Sequence, residues 1–415
     1  MARAEGIHFW DSNEKRYTDI NSQLMCTNIG HQHPKVIQAM KDQMDDLCYA
    51  APGMATKVRA EFGPLLAKRT PGDLNKFFFT LGGAESNENA LKLARFYTGR
   101  TKVITRHRSY HGGTLACMSM TGDHRRWASE DSSNGGMSGV IRVFDPYKYR
   151  SLMYRDGMSD EEYSDIMVKQ LEETILYENP DSIACMFLET VTGSNGIIPP
   201  PKGYLKGVRE LLTKYGIMMV CDEVMAGVGR TGAWFACDHY DVVPDIMTMA
   251  KGITSAFAPL GVVAMKPEIA AAFDDKPFYG GLTYSGHPLC LSAGVATLKV
   301  IEEEGIVDNS RIVGYHLATI LENMMANHKC VGDVRSIGLF GVLELVSSRK
   351  NKTPMCADTM AKVSRYLRKN GIYAYCNGHL FLINPPLIIT KEQLDEAFVI
   401  IDAALSIADG DCEIE

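Results

Sequence analysis

The chain has 415 residues, of which 46% are hydrophobic and 22% are charged, and its formal net charge is −7 at pH 7. This length exceeds one ordinary hydrophobic core, so we expect two domains or one large domain with a subdomain. The absence of a basic run argues against nucleic-acid binding. No stretch is apolar enough to predict a membrane span, and the first residues do not resemble a secretory signal.

The cysteines and histidines give no support for a metal site. Eleven cysteines are scattered between Cys26 and Cys412, their number is odd, and no C-x-x-C pair occurs. This pattern predicts free thiols in a reducing compartment, the cytoplasm. His31 and His33 flank a glutamine with no cysteine nearby, so a loop with two ordinary histidines is favoured over metal ligation.

Apolar strand-like runs alternate with helical patterns through most of the chain. In order, the predicted strands cover residues 76–83, 102–107, 183–190, 217–223, 245–252 and 259–266, and the predicted helices cover residues 85–97, 168–177 and 204–216. Continuous apolar strands separated by helices are typical of a mostly parallel sheet that is covered on both faces. The sequence therefore predicts an α/β fold for this part.

The pattern changes near residue 290. Helices are predicted over residues 289–305, 308–327, 357–370 and the last stretch of the chain, with strands over 338–346, 371–376 and 380–389. We predict a large domain over residues 46–290 and a smaller α+β domain over residues 291–415. An N-terminal segment, residues 1–45, is expected to pack with the small domain.

Asp222, in MMVCDEVMAGVGRTG, lies where a predicted buried strand ends. The glycines that follow, Gly227, Gly229 and Gly232, match the G-x-G-x-x-G fingerprint of dinucleotide-binding proteins. The next residues lack a helical period, and no acid follows at the distance that a ribose contact requires. A nicotinamide-dependent oxidoreductase is therefore a remote alternative.

Lys251, in PDIMTMAKGI, follows another predicted strand and favours a different cofactor. Parallel sheets bind ligands at the carboxyl ends of their strands, and lysines are rarely buried there without a use. A desolvated lysine can form a Schiff base with an aldehyde, and an aspartate can pair with a protonated pyridine nitrogen. Lys251 and Asp222 together therefore predict pyridoxal phosphate.

Two further segments suit this cofactor. TLGGAESNENALK combines a strand, two glycines and a helix start, which can form a cup for a phosphate. A plain strand–helix turn would give the same pattern. Tyr110, in RSYHGGT, can cover one face of a ring or serve as an ordinary turn aromatic.

With these features in order, the chain resembles a class III, or ω-amino-acid, aminotransferase of the type I pyridoxal-phosphate transferase fold. The resemblance runs from Gly6 to Thr390 and rests on GGAESNENALKLAR, YHG, the ET at 189–190, DEVMAGVGRTG, AKGI, GGLTYSGHPL and PPLIIT in combination. It implies a mostly parallel central sheet with a smaller α+β C-terminal domain. It also implies a ping-pong reaction between an amino donor and a keto acid, in a homodimer or a multiple of one.

The resemblance further implies roles for individual residues. Lys251 would bind the cofactor covalently and transfer the proton, and Asp222 would pair with the ring nitrogen. The other implied contacts are Gly83 and Ala84 at the phosphate, Tyr110 and Val224 on the two ring faces, Glu189 near the substrate, and Thr283 at the phosphate of the other subunit.

Two departures from the family pattern bear on the substrate. Met225 stands where many members have a glutamine, and no arginine precedes PPL, where many members bind the substrate carboxylate. The acid-binding group is therefore expected elsewhere. Arg125 and Arg126, in GDHRRW, are the candidates, and a pair of solvated surface arginines is the alternative.

The segments GDHRRW, VFDPYKYRS, DEVMAGVGRTG and GGLTYSGHPL most resemble those of taurine and β-alanine aminotransferases. The resemblance predicts transfer of the amino group of taurine to 2-oxoglutarate or pyruvate, giving sulfoacetaldehyde and glutamate or alanine. β-Alanine, GABA or another ω-amino acid is the alternative donor. A guanidinium fork suits a carboxylate as well as a sulfonate, so the sequence does not separate these donors.

Overall fold

The structure is a computed structural model that describes residues 1–130 and 135–413. The helices are α1 (Ser22–Met25), α2 (Pro34–Asp46), α3 (Lys57–Ala67), α4 (Gly83–Thr98), α5 (Leu115–Met120), α6 (Trp127–Glu130), α7 (Asp160–Tyr177), α8 (Tyr204–Lys214), α9 (Pro267–Ala271), α10 (Pro288–Glu303), α11 (Ile306–Asn327), α12 (Ala357–Lys369) and α13 (Lys391–Gly410). Within the described residues, none of these helices has the length and apolar character that a membrane crossing requires.

The strands are β1 (Arg3–Glu5), β2 (His8–Trp10), β3 (Arg16–Asp19), β4 (Lys76–Thr80), β5 (Lys102–Arg106), β6 (Val140–Val143), β7 (Ile183–Glu189), β8 (Met218–Asp222), β9 (Ile246–Met249), β10 (Gly261–Met265), β11 (Val331–Ile337), β12 (Phe340–Ser348), β13 (Thr353–Pro354), β14 (Ile372–Tyr373), β15 (Tyr375–Asn377) and β16 (Leu380–Ile383).

A seven-stranded sheet with the order β4-β10-β9-β8-β7-β5-β6 forms the centre of the molecule. The strands from β9 to β6 are parallel to their neighbours, and β10 runs antiparallel to β9 and β4. Every residue of β7 and β8 is buried, as expected for strands covered on both faces. The predicted α/β class with a mostly parallel central sheet is confirmed.

Helix α7 begins at Asp160, well before the predicted start at residue 168. The Ser159 hydroxyl accepts a hydrogen bond from the Glu162 amide, and the Glu162 carboxylate accepts one from the Ser159 amide. This capping box, together with acids in the first turn, stabilises the helix start. Tyr163 and Met167 continue the buried stripe of Leu171 and Ile175 towards this start, so the predicted start was too late.

The C-terminal part of the chain forms a second sheet, with the order β11-β12-β16-β15 and β13 beside β12. The single strand predicted over residues 371–376 is wrong, because the strand is interrupted at Ala374 and two short strands, β14 and β15, take its place. β14 pairs with β3, while β15 pairs with β16 in the other sheet. Because β14 and β15 pair with strands in different sheets, the interruption between them is decided by long-range pairing, which the residues around Ala374 do not reveal.

The N-terminal residues form β1, β2 and β3, which continue into β14 as a four-stranded sheet. β3 and β14 are parallel, with Thr18 opposite Ile372 and Asp19 opposite Tyr373. Helices α2 and α3 follow and pack on α10. The apolar patterns did not indicate these strands and helices.

The glycine turn after β8 allows a close approach between distant parts of the chain. Gly232 has a φ of 82°, and a Cβ there would lie 3.0 Å from the Arg311 Cα in α11. Arg230, fully buried in the same turn, donates a hydrogen bond of 2.9 Å to the Leu339 carbonyl. A short 3₁₀ turn, Ala236–Tyr240, follows instead of the long helix that a dinucleotide fingerprint would open.

Candidate active site

Three charged side chains meet at one edge of the central sheet. Glu189 and Asp222 are the last residues of β7 and β8, and they lie opposite each other in the strand register. Lys251 comes directly after the neighbouring strand β9 and the single residue Ala250. All three side chains line one cavity of about 290 Å³. The structure therefore brings the predicted lysine and aspartate together.

Lys251 is held in an unusual conformation. It opens a 3₁₀ turn with a φ of 45°, in the left-handed region that non-glycine residues seldom adopt. Within the described residues its amine has no hydrogen-bond or ion-pair partner. Burial lowers the pKa of this amine, while the nearby Cys26, Asp222 and Glu189 oppose that shift. Desolvation thus favours the neutral amine, the nucleophilic form.

Asp222 is fixed by two side chains. Its Oδ2 atom accepts a hydrogen bond of 2.8 Å from Asn87 Nδ2 and lies 2.9 Å from His111 Nδ1. Thr248 orients Asn87 by donating its hydroxyl to Asn87 Oδ1 at 2.7 Å. His111 and Asn87 were not predicted as site residues, although both lie inside the quoted segments RSYHGGT and ESNENALK.

Glu189 is buried at the back of the same cavity. Its Oε1 accepts the Tyr110 amide at 3.0 Å, and its Oε2 accepts the Gly193 amide at 2.8 Å. Burial raises the pKa of the Glu189 carboxyl, and His111 opposes the shift. In the described part of the chain no guanidinium pairs with this carboxyl.

The start of α4 leaves backbone N–H groups free on the floor of the cavity. Gly82 precedes the helix without any side-chain cap, and Gly83 and Ala84 line the cavity. A Cβ at Gly83 would lie 2.9 Å from Val224 Cγ1, so a larger residue there would push Val224 aside. An uncapped helix start with a glycine at its first residue can bind an anion.

Tyr110 and Arg125 form one wall of the cavity. The Arg125 guanidinium carbon lies 3.7 Å from the centroid of the Tyr110 ring. Arg125 Nε donates to both Asp123 oxygens, at 3.1 and 2.8 Å, and its Nη2 donates to Ser194 Oγ at 2.8 Å. Its Nη1 has no hydrogen bond within the described residues and is available to a ligand.

Arg126, the second candidate for the substrate anion, lies outside this cavity. Its Nε donates to Glu130 Oε1 at 3.1 Å, and its Nη1 donates to the carbonyls of Gly122 and Asp123. Adjacent residues in the tight His124–Arg126 turn extend in different directions. Of the two arginines only Arg125 lines the cavity, and its role in holding the substrate anion stays a prediction.

Uncharged side chains complete the cavity. Leu24 and Met25 reach it from α1, Met225 from the glycine turn, and Tyr375 from β15. Met25 has a φ of 54°, which is uncommon for a non-glycine residue and is a form of strain found at functional sites. The sequence pattern did not indicate Leu24 or Tyr375 as cavity residues, because they come from distant ends of the chain.

Thr283 lies apart from the cavity, in the loop between α9 and α10. Its carbonyl accepts a hydrogen bond of 3.1 Å from the Tyr49 hydroxyl. Tyr49, Tyr279 and Tyr284 around it are exposed. Within one chain, therefore, Thr283 does not reach the cavity.

A lysine that can form an imine, beside an aspartate at the same sheet edge, is the arrangement that type I pyridoxal-phosphate enzymes need. The chain matches the family model described as aminotransferase class-III over residues 1–405, and it belongs to that family. It is an aminotransferase, its fold is the type I transferase fold, and its cofactor is pyridoxal phosphate.

Several known proteins are similar over nearly the whole chain. A taurine:2-oxoglutarate aminotransferase from Bifidobacterium kashiwanohense, solved in complex with PLP and glutamate, is 40% identical with a TM-score of 0.95, covering 99% of this chain and 93% of that chain. A putrescine–pyruvate aminotransferase from Pseudomonas aeruginosa is 32% identical over 95% of this chain and 88% of its own. A hypotaurine/taurine–pyruvate aminotransferase from Paracoccus denitrificans is 32% identical over 98% and 91%.

Proposed function

We propose that this aminotransferase moves the amino group of an ω-amino acid, with taurine as the preferred donor, to 2-oxoglutarate or pyruvate. The observation that carries this proposal is the Arg125 guanidinium, which lines the cavity with its Nη1 free. A donor whose far end is an anion can pair with that guanidinium while its amine reaches Lys251. β-Alanine and GABA have the same charge pattern and are the alternative donors.

The cavity residues fit pyridoxal phosphate. The free N–H groups of Gly83 and Ala84 would hold the phosphate, and Tyr110 and Val224 would lie on the two ring faces. Gly112 has a φ of 131°, and a Cβ there would lie 2.6 Å from the Ala84 Cβ, so the space beside the helix start is kept open by glycine. When bound, the cofactor supplies an electron sink for the carbon that carries the amine.

Lys251 would move the proton in this reaction. Its amine is desolvated, its pKa is lowered, and no neighbouring hydrogen bond has to be broken before it acts. Asp222, fixed by His111 and Asn87, would keep a proton on the ring nitrogen as a buried anion beside a cation. Glu189, held by two backbone amides, would lie near the substrate without competing for Arg125.

The donor preference rests on charge. A guanidinium repels the second amine of a diamine and attracts a sulfonate or carboxylate. Two similar proteins, from Bifidobacterium kashiwanohense and Paracoccus denitrificans, are named for aminotransferase activity on taurine, which supports that donor. Arg125 is the one arginine in the described cavity lining, beside the uncharged residues Met225 and Leu24.

The assembly is proposed to be a homodimer, and the compartment to be the cytoplasm. Thr283 does not line the cavity of its own chain, and the exposed tyrosines around it suit burial against a second copy. Eleven free cysteines suit a reducing compartment. The domain limits at residues 46–290 and 291–415, with the N-terminal segment grouped with the latter, stay part of this proposal.

A donor panel tests the function. Taurine, β-alanine, GABA, putrescine and an uncharged amine of similar length are each combined with pyruvate and with 2-oxoglutarate, and the keto-acid-derived amino acid is measured. We expect the anionic donors to have higher kcat/KM than putrescine, and taurine to be the best. A preference for putrescine would contradict the proposed role of Arg125, although the enzyme would still be a transaminase.

A further inference from the structure

A second cavity lies beside the candidate active site and has a volume of about 570 Å³. Asp123 and Asn195 form the wall between the two cavities: Asp123 binds Arg125 on one side, and Asn195 Nδ2 donates to Asp123 Oδ2 at 2.9 Å. The basic and imidazole side chains that line the second cavity are His107, Arg108, His124, Arg126 and His379. Residues of three separate parts of the chain therefore gather basic groups at one place.

Arg108 differs from Arg126 in having no hydrogen-bond partner for its side chain among the described residues. Its guanidinium has no hydrogen bond and no ion pair within the described residues. Its one close aromatic contact is with Tyr147, whose ring centroid lies 4.9 Å from the guanidinium carbon. The carboxylate of Asp145 accepts from the Arg108 backbone amide at 2.9 Å and not from the side chain. An arginine on a cavity wall with its donors free is available to bind an anion.

The surrounding charge is positive. Burial lowers the pKa of His107, and the neighbouring Arg126, Arg142 and Arg108 lower it further against the opposing effect of Asp145. Burial is the largest cause of this lowered pKa, and the three guanidinium groups are a smaller contribution that places positive charge beside the imidazole. This local field stands out because the whole chain carries a formal charge of −7.

The carboxylates beside this cavity already accept hydrogen bonds from other side chains. In the described lining Asp123 is the single carboxylate, and its oxygens accept from Arg125 and from Asn195. Glu130, outside the lining, accepts from Arg126 Nε at 3.1 Å and from Arg142 Nη2 at 3.0 Å. Asp145, outside the lining, interacts electrostatically with Arg108, but it accepts from the Arg108 backbone amide and pairs with Arg106, so in the described chain the Arg108 side-chain donors stay available to a ligand.

We propose that this second cavity binds a small divalent anion, with Arg108 as its principal ligand and with Arg126 and His124 beside it. The cavity is large enough for an inorganic oxoanion or for a short dicarboxylate, and both carry the charge and the acceptor oxygens that guanidinium groups bind. The site is distinct from the one that holds the amino donor, because Arg125 faces the other side of the Asp123–Asn195 wall.

Anion binding is measured on the holoenzyme, in which pyridoxal phosphate fills the phosphate cup. Sulfate and succinate are titrated by calorimetry against chloride at equal ionic strength. The variants are Arg108→Gln, Arg125→Gln and Arg365→Gln; the last removes an exposed guanidinium in α12 and serves as the control. We expect wild type, Arg125→Gln and Arg365→Gln to bind one divalent anion, and Arg108→Gln to lose about tenfold or more in affinity.

Each outcome decides the proposal. If Arg125→Gln abolishes binding while Arg108→Gln does not, the anion occupies the donor site and the proposal is wrong. If sulfate and succinate bind no better than chloride, it is also wrong. Crystals of the wild-type holoenzyme grown with selenate give an independent result, since the anomalous peak should lie within hydrogen-bond distance of Arg108. A peak confined to Arg125 would overturn the assignment, and neither result depends on which donor the enzyme prefers.

Discussion

The Arg125 guanidinium stacks on Tyr110, with 3.7 Å between the guanidinium carbon and the ring centroid. Asp123 and Ser194 hold the edges of the same guanidinium. Stacking and a two-oxygen carboxylate contact fix the plane of the group before any substrate arrives. Arg125 is thus preorganised, and its free Nη1 has a defined position in the cavity.

The first prediction concerns Arg125→Gln. Loss of a charged hydrogen bond costs about 1.5–3 kcal/mol, which corresponds to roughly a 10- to 150-fold rise in KM for taurine. The KM for an uncharged amine should change little. Steady-state kinetics with taurine and with the uncharged amine measure the change in KM for each donor.

Arg126→Gln is the matched control, because it removes the neighbouring guanidinium, which lies outside the donor cavity. Its KM for taurine should stay close to that of the wild type. An equal loss in both variants would mean that the long-range charge of this turn matters, rather than direct contact with Arg125.

The second prediction concerns Lys251→Ala. The phosphate cup and Asp222 are unchanged, so the variant should still bind pyridoxal phosphate, as measured by its visible absorbance after gel filtration. Turnover should be almost abolished, since a general acid–base group alone contributes roughly 10²–10⁴ in rate. Borohydride should fix the cofactor to the wild-type protein and not to the variant. Normal turnover in Lys251→Ala would exclude this lysine from catalysis.

The third prediction concerns Asp222→Asn, which keeps the size of the side chain and removes its charge. The ring nitrogen would lose its anionic partner, so kcat should fall strongly while the affinity for the cofactor falls modestly. Asn87→Ala provides a comparison, because it removes one of the two side chains that hold Asp222 but leaves the carboxylate. We expect a smaller loss of kcat there. An unchanged kcat in Asp222→Asn would leave Asp222 a structural residue only.

The sequence predicted the central sheet well because buried parallel strands are continuous apolar runs, and β7 and β8 have this form. It placed Lys251 and Asp222 together because the carboxyl ends of parallel strands share an edge. The first inference depends on the local apolar pattern, and the second depends on the rule that parallel strands end at the same edge of a sheet. Contacts between segments that are distant in the sequence follow from neither.

The side chains around these two residues were harder to predict. Leu24 and Tyr375 reach the cavity from segments far from the central sheet, and long-range packing decides where they lie. The separation of Arg125 from Arg126 depends on one turn of 3₁₀ geometry, which adjacent positions in a sequence do not reveal. The pairing of Asp222 with His111 likewise required coordinates.

The fourth prediction concerns assembly. A second copy is expected to bring Thr283 to the phosphate, so sedimentation should show a dimer or a multiple of one at working concentration. Thr283→Ala should weaken cofactor binding without changing the sedimentation coefficient, because only a hydroxyl contact is lost. Thr101→Ala, at an exposed loop position, is the control. A fully active monomer would remove Thr283 from the site.

The last prediction concerns stability in acid and centres on Glu344 in β12. Its side chain is fully buried and accepts hydrogen bonds from Arg335 Nη2 at 2.8 Å, from Arg150 Nε at 2.5 Å and from the Tyr147 hydroxyl. Arg150 and Tyr147 lie 194 and 197 residues before Glu344, so this carboxylate ties two distant parts of the chain together. Although burial opposes the shift, these partners and His379 lower the pKa of Glu344 below its usual range.

Because the pKa of Glu344 is lower in the folded chain than in the unfolded one, the unfolded chain takes up the proton first as the pH falls. The stabilisation by Glu344 is therefore fully present above the ordinary value of about 4.5 and is lost as the pH falls towards the folded pKa. Urea unfolding between pH 7 and pH 3 should show a steeper loss of stability for the wild type than for Glu344→Gln, although the variant is less stable at pH 7 because it leaves buried cations unpaired. Glu413→Gln, near the end of the described chain, should keep the wild-type slope. Equal slopes for the wild type and Glu344→Gln would mean that other carboxyls dominate acid unfolding.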